Sequence, residues 1–367
     1  MRKFFLFSSF TLILTGCQSY FGPSALSNTH PAYNQAIVKS LGEQMLLNLV
    51  RLKYRDEAYF LKVSSVTAAL TLIASGGLDT EIDLAPGGNI LKPRLGINYA
   101  DRPTISYTPL QGEDFLKSVL SSISLEAILV LTQSGWSVER VFGLCIERMN
   151  ELYNAPRASG PTPKDAPKYK KFKRMLMLFR ELQLTGDIEI GPDLDLDEKS
   201  KSLVMLFEGN DVDRKVRQEL NSLLGFNRKP LVDKKVHRMK ISTNFLRMKP
   251  HQITVRTRSI SSLLFYLSQN VEIPKEHKDA GLITITKTLD GQNFNWGETP
   301  AGSVFKIQSS DSHPDNAFLS IFYRGFWFYI ADNDLQSKST FMLLTQLFDL
   351  QAGQTKYTGP TLTLPVR

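Results

Sequence analysis

This sequence is short of the residues and runs from which recognisable sites are built. It has two cysteines, Cys17 and Cys145, which excludes the disulfide framework that staples small secreted domains. After residue 17 no stretch has the eighteen consecutive apolar residues that a spanning helix needs. The five histidines, His30, His237, His251, His277 and His313, are scattered. With no His-Glu-x-x-His and no Cys-x-x-Cys, no metal ligand set is expected. Gly76-Gly77 and Gly87-Gly88 lack the Lys-Ser/Thr of a phosphate loop and read as turns. There is no Gly-x-Ser-x-Gly elbow. No cofactor is expected, and no residue is assigned a catalytic role.

Partial patterns do not alter this. Asp311-Ser312-His313-Pro314-Asp315 holds the three residue types of a hydrolase triad, but a triad is a constellation in space and adjacent residues do not face one another. It reads as a polar turn. Asp193, Asp195 and Asp197 resemble the start of a calcium loop, yet Glu198 and Val204 stand where that loop needs Gly and Glu. Cys145, on the apolar side of a helical pattern, reads as a small buried hydrophobe.

What is present is an ordinary globular composition, 42% hydrophobic and 22% charged over 367 residues, with a net charge of +8. The length suits a sizeable core and two domains. Asn34 to Tyr54 has Ile37, Leu41, Met45, Leu49 and Leu52 at helical spacing, with Asn34 as N-cap. β-like sequence follows to Tyr107. Helical patterns then run over Glu113–Ser121, Leu125–Gln133 and Val138–Tyr153, the last two capped by Ser124 and Ser137. Trp136 reads as an anchor between them. Asn154–Pro167, with four prolines, reads as a linker.

Beyond it come a basic amphipathic helix from Tyr169 to Leu184 and a hairpin around Gly191-Pro192. A strand over Ser202–Phe207, a helix over Val212–Leu224 and strands over Val232–Ile241 and Gln252–Thr257 follow. Ser259 caps a further helix; Leu282–Lys287 and Val304–Gln308 read as strands. Phe318–Ile330 is a hairpin turning at Arg324-Gly325, Leu335–Leu350 is a helix, and Thr361–Val366 is a strand. Mixed order without βαβ alternation predicts an α+β fold, with mostly antiparallel sheets and helices packed on one face.

The amino terminus carries the most specific signal. Arg2 and Lys3 precede a run from Phe4 to Ile13 that is apolar apart from Ser8, Ser9 and Thr11, and Leu14-Thr15-Gly16-Cys17 follows. This is a secretory signal, too short to span a membrane stably. Leu14–Cys17 resembles the lipobox of bacterial lipoproteins. That resemblance implies cleavage before Cys17, a diacylglycerol on its thiol and an acyl group on its new amine. Each buried CH₂ is worth about 0.8 kcal/mol, so several acyl chains together anchor stably. Gln18, where such lipoproteins carry Asp for inner-membrane retention, implies the outer membrane. The organisation expected is residues 1–16 as signal peptide, 17–33 as flexible tether, 34–153 as an N-terminal α+β domain, 154–167 as linker and 168–367 as a C-terminal α+β domain.

Gln44-Met-Leu-Leu-Asn-Leu-Val-Arg-Leu-Lys-Tyr, Phe60-Leu-Lys-Val-Ser-Ser and Trp327-Phe-Tyr-Ile with Asp334-Leu-Gln-Ser-Lys are similar to segments of uncharacterised lipoproteins of Gram-negative bacteria. That resemblance implies no activity.

Charge is concentrated in two places. Phe226–Arg258 carries Arg228, Lys229, Lys234, Lys235, Arg238, Lys240, Arg247, Lys249, Arg256 and Arg258 against the one acid Asp233. Lys168, Lys170, Lys171, Lys173 and Arg174 form a second run, interleaved with Tyr169 and Phe172. Behind a lipoprotein signal the partners such charge suits are anionic lipid head groups, lipopolysaccharide or an acidic envelope protein, and not nucleic acid. Lys234, Lys235, Arg238 and Lys240 are the candidate anionic-surface residues. The expected function is therefore a non-enzymatic, outer-membrane-anchored lipoprotein that binds or scaffolds an envelope component. The alternatives are a small-molecule or glycan-binding module and, behind it, an envelope hydrolase with dispersed residues. Cys17→Ser is expected to abolish metabolic acyl labelling and leave the signal uncleaved; an unlabelled wild-type mature protein would contradict the lipobox reading.

Overall fold

The computed structural model describes residues 23–67, 70–81, 90–101, 104–192, 203–208, 214–226, 236–247, 252–352 and 362–365. Cys17 and the rest of the lipobox, Asp193, Asp195 and Asp197, and Lys234 and Lys235 lie outside them. The chain folds as α+β with mostly antiparallel sheets.

Helix α1 (Pro23–Lys53) begins eleven residues before the expected cap, so the tether expected over 17–33 is helical from Pro23 onward. Proline suits a first helical position because its missing N–H is unpaired there anyway. The helix continues through Pro31 at the loss of one i→i−4 hydrogen bond. Its buried side comes later: Leu46, Leu49 and Val50 are fully covered and Met45 nearly so.

Next come β1 (Leu61–Thr67), β2 (Leu70–Glu81), β3 (Ile90–Asp101) and β4 (Thr104–Pro109). Helices α2 (Glu113–Leu120), α3 (Leu125–Gln133) and α4 (Val138–Cys145) follow. The caps are as expected: Ser124 Oγ accepts from Ala127 N–H at 3.1 Å and Ser137 Oγ from Arg140 N–H at 3.2 Å. The helix expected to reach Tyr153 stops at Cys145, and the chain turns into β5 (Ile146–Met149) and β6 (Leu152–Tyr153). Asn154 enforces the stop. Its side-chain amide donates to Gly143 O at 2.8 Å and to Ile146 O at 2.7 Å, taking carbonyls that a longer helix would have used. Cys145 is fully buried, and burial pushes its thiol up to about 12. Trp136 is half-buried on a surface groove rather than anchored between helices.

Helix α5 (Lys170–Thr185) ends at Gly186, whose φ of 79° is the left-handed cap. Strand β7 (Ile188–Pro192) pairs antiparallel with β8 (Leu203–Glu208). Gly191 and Pro192 lie within β7, opposite Val204 and Leu203, and not at the tip of a hairpin. Helix α6 (Arg214–Leu224), β9 (Val236–Ser242), β10 (Gln252–Thr257), α7 (Ile260–Ser268) and the short α8 (Lys275–Asp279) follow. The strands expected over Leu282–Lys287 and Val304–Gln308 are irregular chain with isolated bridges at Lys287 and Ile307. Regular pairing resumes in β11 (Gln308–Ser310), β12 (Ala317–Tyr323) and β13 (Phe326–Ala331). Helix α9 (Leu335–Ala352), capped by Asp334, and β14 (Leu362–Pro365) complete the chain.

Two compact units result, and they are not those expected. One comprises Tyr59–Gln111 with Lys356–Arg367; the other holds the described residues of Met1–Ala58 and Gly112–Thr355. In the smaller unit β4 lies between β1 and β14, all antiparallel, and β2 pairs with β3. The return of β14 to β4 is a pairing across more than 250 residues that no local pattern announces. The expected linker is interior to the larger unit: Asn154, Ala155 and Ala158 are completely buried and Thr162 is nearly so.

In the larger unit a six-stranded sheet has the order β6-β5-β10-β9-β8-β7, parallel only between β9 and β10. Phe142, Phe172, Phe179 and Phe207 are fully buried; Phe142 meets Phe179 edge-on at 6.1 Å and Phe179 lies 6.4 Å from Phe207. Each such side chain contributes about 1.5–3 kcal/mol of burial. At the hairpin turn Arg324 and Gly325 have φ of 49° and 88°. Arg324 Nη2 donates to both Asp56 carboxylate oxygens, at 3.1 and 2.9 Å, and the Tyr323 hydroxyl donates to the same carboxylate. Asp56, three residues beyond α1, is thereby tied to the sheet of β11, β13 and β12.

Lys53, at the end of α1, is 5% exposed and donates to Gln269 Oε1 at 3.2 Å. Burial, with Lys278 adding like charge, brings its amine down from 10.5 to about 8. The unfolded chain therefore binds this proton more tightly than the folded one. The resulting destabilisation is complete below about pH 8 and is relieved as pH rises toward 10.5. Lys53→Met is expected to stabilise the protein at pH 7 by about 1–3 kcal/mol, the lower figure allowing for the stranded Gln269 oxygen. Urea unfolding at pH 7 and pH 10 checks it: the gain should shrink at pH 10, and a gain independent of pH would contradict it.

Candidate ligand-binding cleft

The second basic run opens onto a cleft of about 650 Å³ in the larger unit. Three stretches line it: Glu151–Tyr153 as the near wall, Ala166–Lys171 at the start of α5 as the floor, and Thr288, Asn293–Asn295 and Glu298 as the far wall. Lys168, Lys170 and Lys171 are exposed in it, and the rings of Tyr153 and Phe294 are half-buried.

The near wall is set by a buried arginine. Arg258, at the junction of β10 and α7, is 1% exposed. Its guanidinium donates to Asn154 O, to Ala155 O at 3.5 Å and to Ser159 Oγ, and it lies 4.1 Å from the Tyr266 ring centroid. Glu147 is 3.9 Å away and also accepts from Ser159 Oγ at 2.6 Å. Tyr266 OH donates to Asn154 Oδ1 at 3.0 Å. Burial pulls the guanidinium below its ordinary range, and Glu147 opposes this. Segment 154–159 is held to the core by these contacts, and Ala155 N–H donates to Lys168 O at 2.9 Å. Tyr153 and Lys168 therefore flank a fixed point.

The far wall is registered to the same segment. Ala166 N–H donates to Lys287 O at 2.8 Å, Lys287 N–H to Lys164 O at 2.7 Å, and Thr286 Oγ1 to Pro163 O at 2.6 Å. Phe294 packs edge-on against Trp296 at 5.0 Å and Tyr169 at 5.8 Å. Gly302 lets the loop close on itself, since a Cβ there would lie 2.0 Å from Trp296 O. Tyr169 OH donates to Glu298 Oε2 at 2.8 Å, and burial with this carboxylate pushes the phenol up to about 12. Lys173 Nζ donates to Glu298 O at 2.8 Å.

The electrostatics of the cleft are one-sided. Of the two carboxylates in its lining, Glu151 is offset by Arg148 at 2.8 Å, while Glu298 accepts from the uncharged Tyr169 and keeps its charge against three lysines. Arg174 has its own bidentate partner in Glu219, at 2.7 Å for both bonds. Among the described residues Lys168, Lys170 and Lys171 form no ion pair. They stand at the positive end of α5, whose first turn holds no acid and whose N-cap, Tyr169, gives no side-chain cap. Cations at that end are unfavourable by about 0.3–1 kcal/mol each, and an anion between them reverses the sign.

The candidate anionic-surface residues of the first basic run fare differently. Lys234 and Lys235 lie outside the described residues. Arg238 is exposed and Lys240 half-buried on one side of β9, with Met239 and Ile241 buried on the other; both interact with further groups of the protein. Arg258, counted in that run, is the buried clamp and contributes nothing to a surface. Asp311–Asp315 is the exposed turn before β12, and His313 meets Trp327 edge-on at 4.5 Å. Among the described residues no three His, Cys, Asp or Glu are placed to hold a metal ion, and no helix is long and apolar enough to cross a membrane. Tyr54 OH and His277 Nδ1 share a 2.6 Å hydrogen bond, but both residues are buried, at 6% and 9% exposure. Sequence reasoning identified the lysines of the cleft but not the rings of Tyr153 and Phe294, whose only local signal is an aromatic beside turn residues.

No protein-family model matches the chain, and no curated protein sequence or solved structure matches it.

Proposed function

We propose that this protein is an outer-membrane-anchored lipoprotein, held by acyl chains on Cys17, that acts without catalysis by binding an anionic component of the cell envelope. The lipobox-like Leu14–Cys17 and Gln18 support the anchoring. The single observation that carries the binding role is the set of cations at the cleft with no ion pair among the described residues, Lys168, Lys170 and Lys171, beside two half-buried rings. A second reading, a small-molecule or glycan-binding module, is favoured by the cleft's volume of about 650 Å³, which lies in the range of ligand sites.

Each lysine near an anionic surface is worth about 1 kcal/mol, and salt screens it. The full-length lipidated protein, in a polyoxyethylene detergent, is expected to bind immobilised lipopolysaccharide in low salt. Reversing Lys168, Lys170 and Lys171 to Glu is expected to weaken binding at least about tenfold. Reversing Arg238 and Lys240 is the comparison. Binding that ignores salt and the triple reversal would overturn the cleft as the anionic site, as would binding lost only on reversal of Arg238 and Lys240.

A further inference from the structure

We infer that the occupant of the cleft is an acidic oligosaccharide; this rests on the reading of the cleft as an anion site. A bare phosphate or a flat head-group surface would need the lysines alone. Here the lysines share a concave site with the half-buried rings of Tyr153 and Phe294; Arg148 covers one face of the Tyr153 ring at 5.0 Å, so a sugar would take the other. The C–H-rich face of a pyranose carries partial positive charge and lies against the negative face of an aromatic ring. A sugar chain therefore uses both features at once.

The far wall supplies a match for hydroxyls. Asn293 accepts from Lys287 Nζ at 2.6 Å through Oδ1. Its amide N–H₂ has no partner among the described residues and can donate to a hydroxyl or ring oxygen. The acid on the sugar follows from the charge count. Arg148 offsets Glu151, and Glu298 keeps its one negative charge beside the neutral Tyr169. Against it stand three lysines that form no ion pair among the described residues, an excess of positive charge. A neutral saccharide would leave that charge unanswered.

The test is titration calorimetry on the full-length protein in a polyoxyethylene detergent, which offers no sugar head group to compete. The probes are trigalacturonate, neutral galactotriose and inorganic phosphate. Trigalacturonate is expected to bind at least about tenfold more tightly than either of the others. Phe294→Leu, which keeps apolar bulk and removes the ring, should weaken trigalacturonate at least about fivefold and leave phosphate unchanged. Tyr153→Leu is the second variant, should Phe294→Leu disturb the packing on Trp296. Phosphate binding as tightly as trigalacturonate, with neither ring variant having an effect, overturns the saccharide inference and leaves the anion site standing. Galactotriose binding as tightly as trigalacturonate overturns the requirement for an acid. If neither trigalacturonate nor phosphate binds, the anion site falls with it.

Discussion

The larger unit depends on a charge that is almost entirely out of water. Burying a guanidinium costs several kcal/mol unless its donors are met. Arg258 meets that cost with Asn154 and Ala155 carbonyls, the Ser159 hydroxyl, the Tyr266 ring and Glu147. Nε alone has no partner among the described residues. These contacts draw on the end of β6, the short 3₁₀ turn over Pro156–Ser159 and helix α7. Backbone bonds from Arg258 to Cys145 at 2.7 Å and from Ile123 to Arg258 at 2.8 Å fix the arginine's own place. One side chain thus sets how residues 147–159 meet the start of α7, about a hundred residues later.

The consequence for function is positional. Irregular chain is the ordinary home of binding residues because it can present side chains that a sheet or helix cannot, provided a rigid scaffold holds it. Segment 154–169 is such chain. The clamp holds its beginning, the Phe172-centred core of α5 holds its end, and hydrogen bonds to residues 286–287 hold its middle. Lys168 emerges from it and Lys170 and Lys171 open the helix that follows, at the positive end where their charges are least comfortable with the backbone and most receptive to an anion.

What was legible in the sequence was chiefly local. Ser124, Ser137 and Ser259 cap helices because their hydroxyls reach first-turn N–H groups. Arg324-Gly325 turns the hairpin, both residues at positive φ. Failures came where distant residues decide. Asn154–Pro167 has a linker's composition, yet an arginine a hundred residues later buries it. Arg258 itself looked like one more surface cation. The end of α4 at Cys145 is imposed by the Asn154 amide, and β14 by its partner β4. The candidate site was half visible: the lysines are neighbours in sequence, whereas Tyr153 and Phe294 meet only through the fold.

The central claim is that the cleft at the start of α5 is where the anchored protein holds an acidic, sugar-bearing envelope component. In-cell photocrosslinking of the lipidated protein tests it most directly, with a photoreactive benzoyl-phenylalanine replacing Lys170 in one strain and Arg238 in another. The account predicts an adduct at position 170 that stains for carbohydrate and fades when cells are irradiated in high salt. An adduct only at position 238, or one at 170 free of carbohydrate, would contradict it.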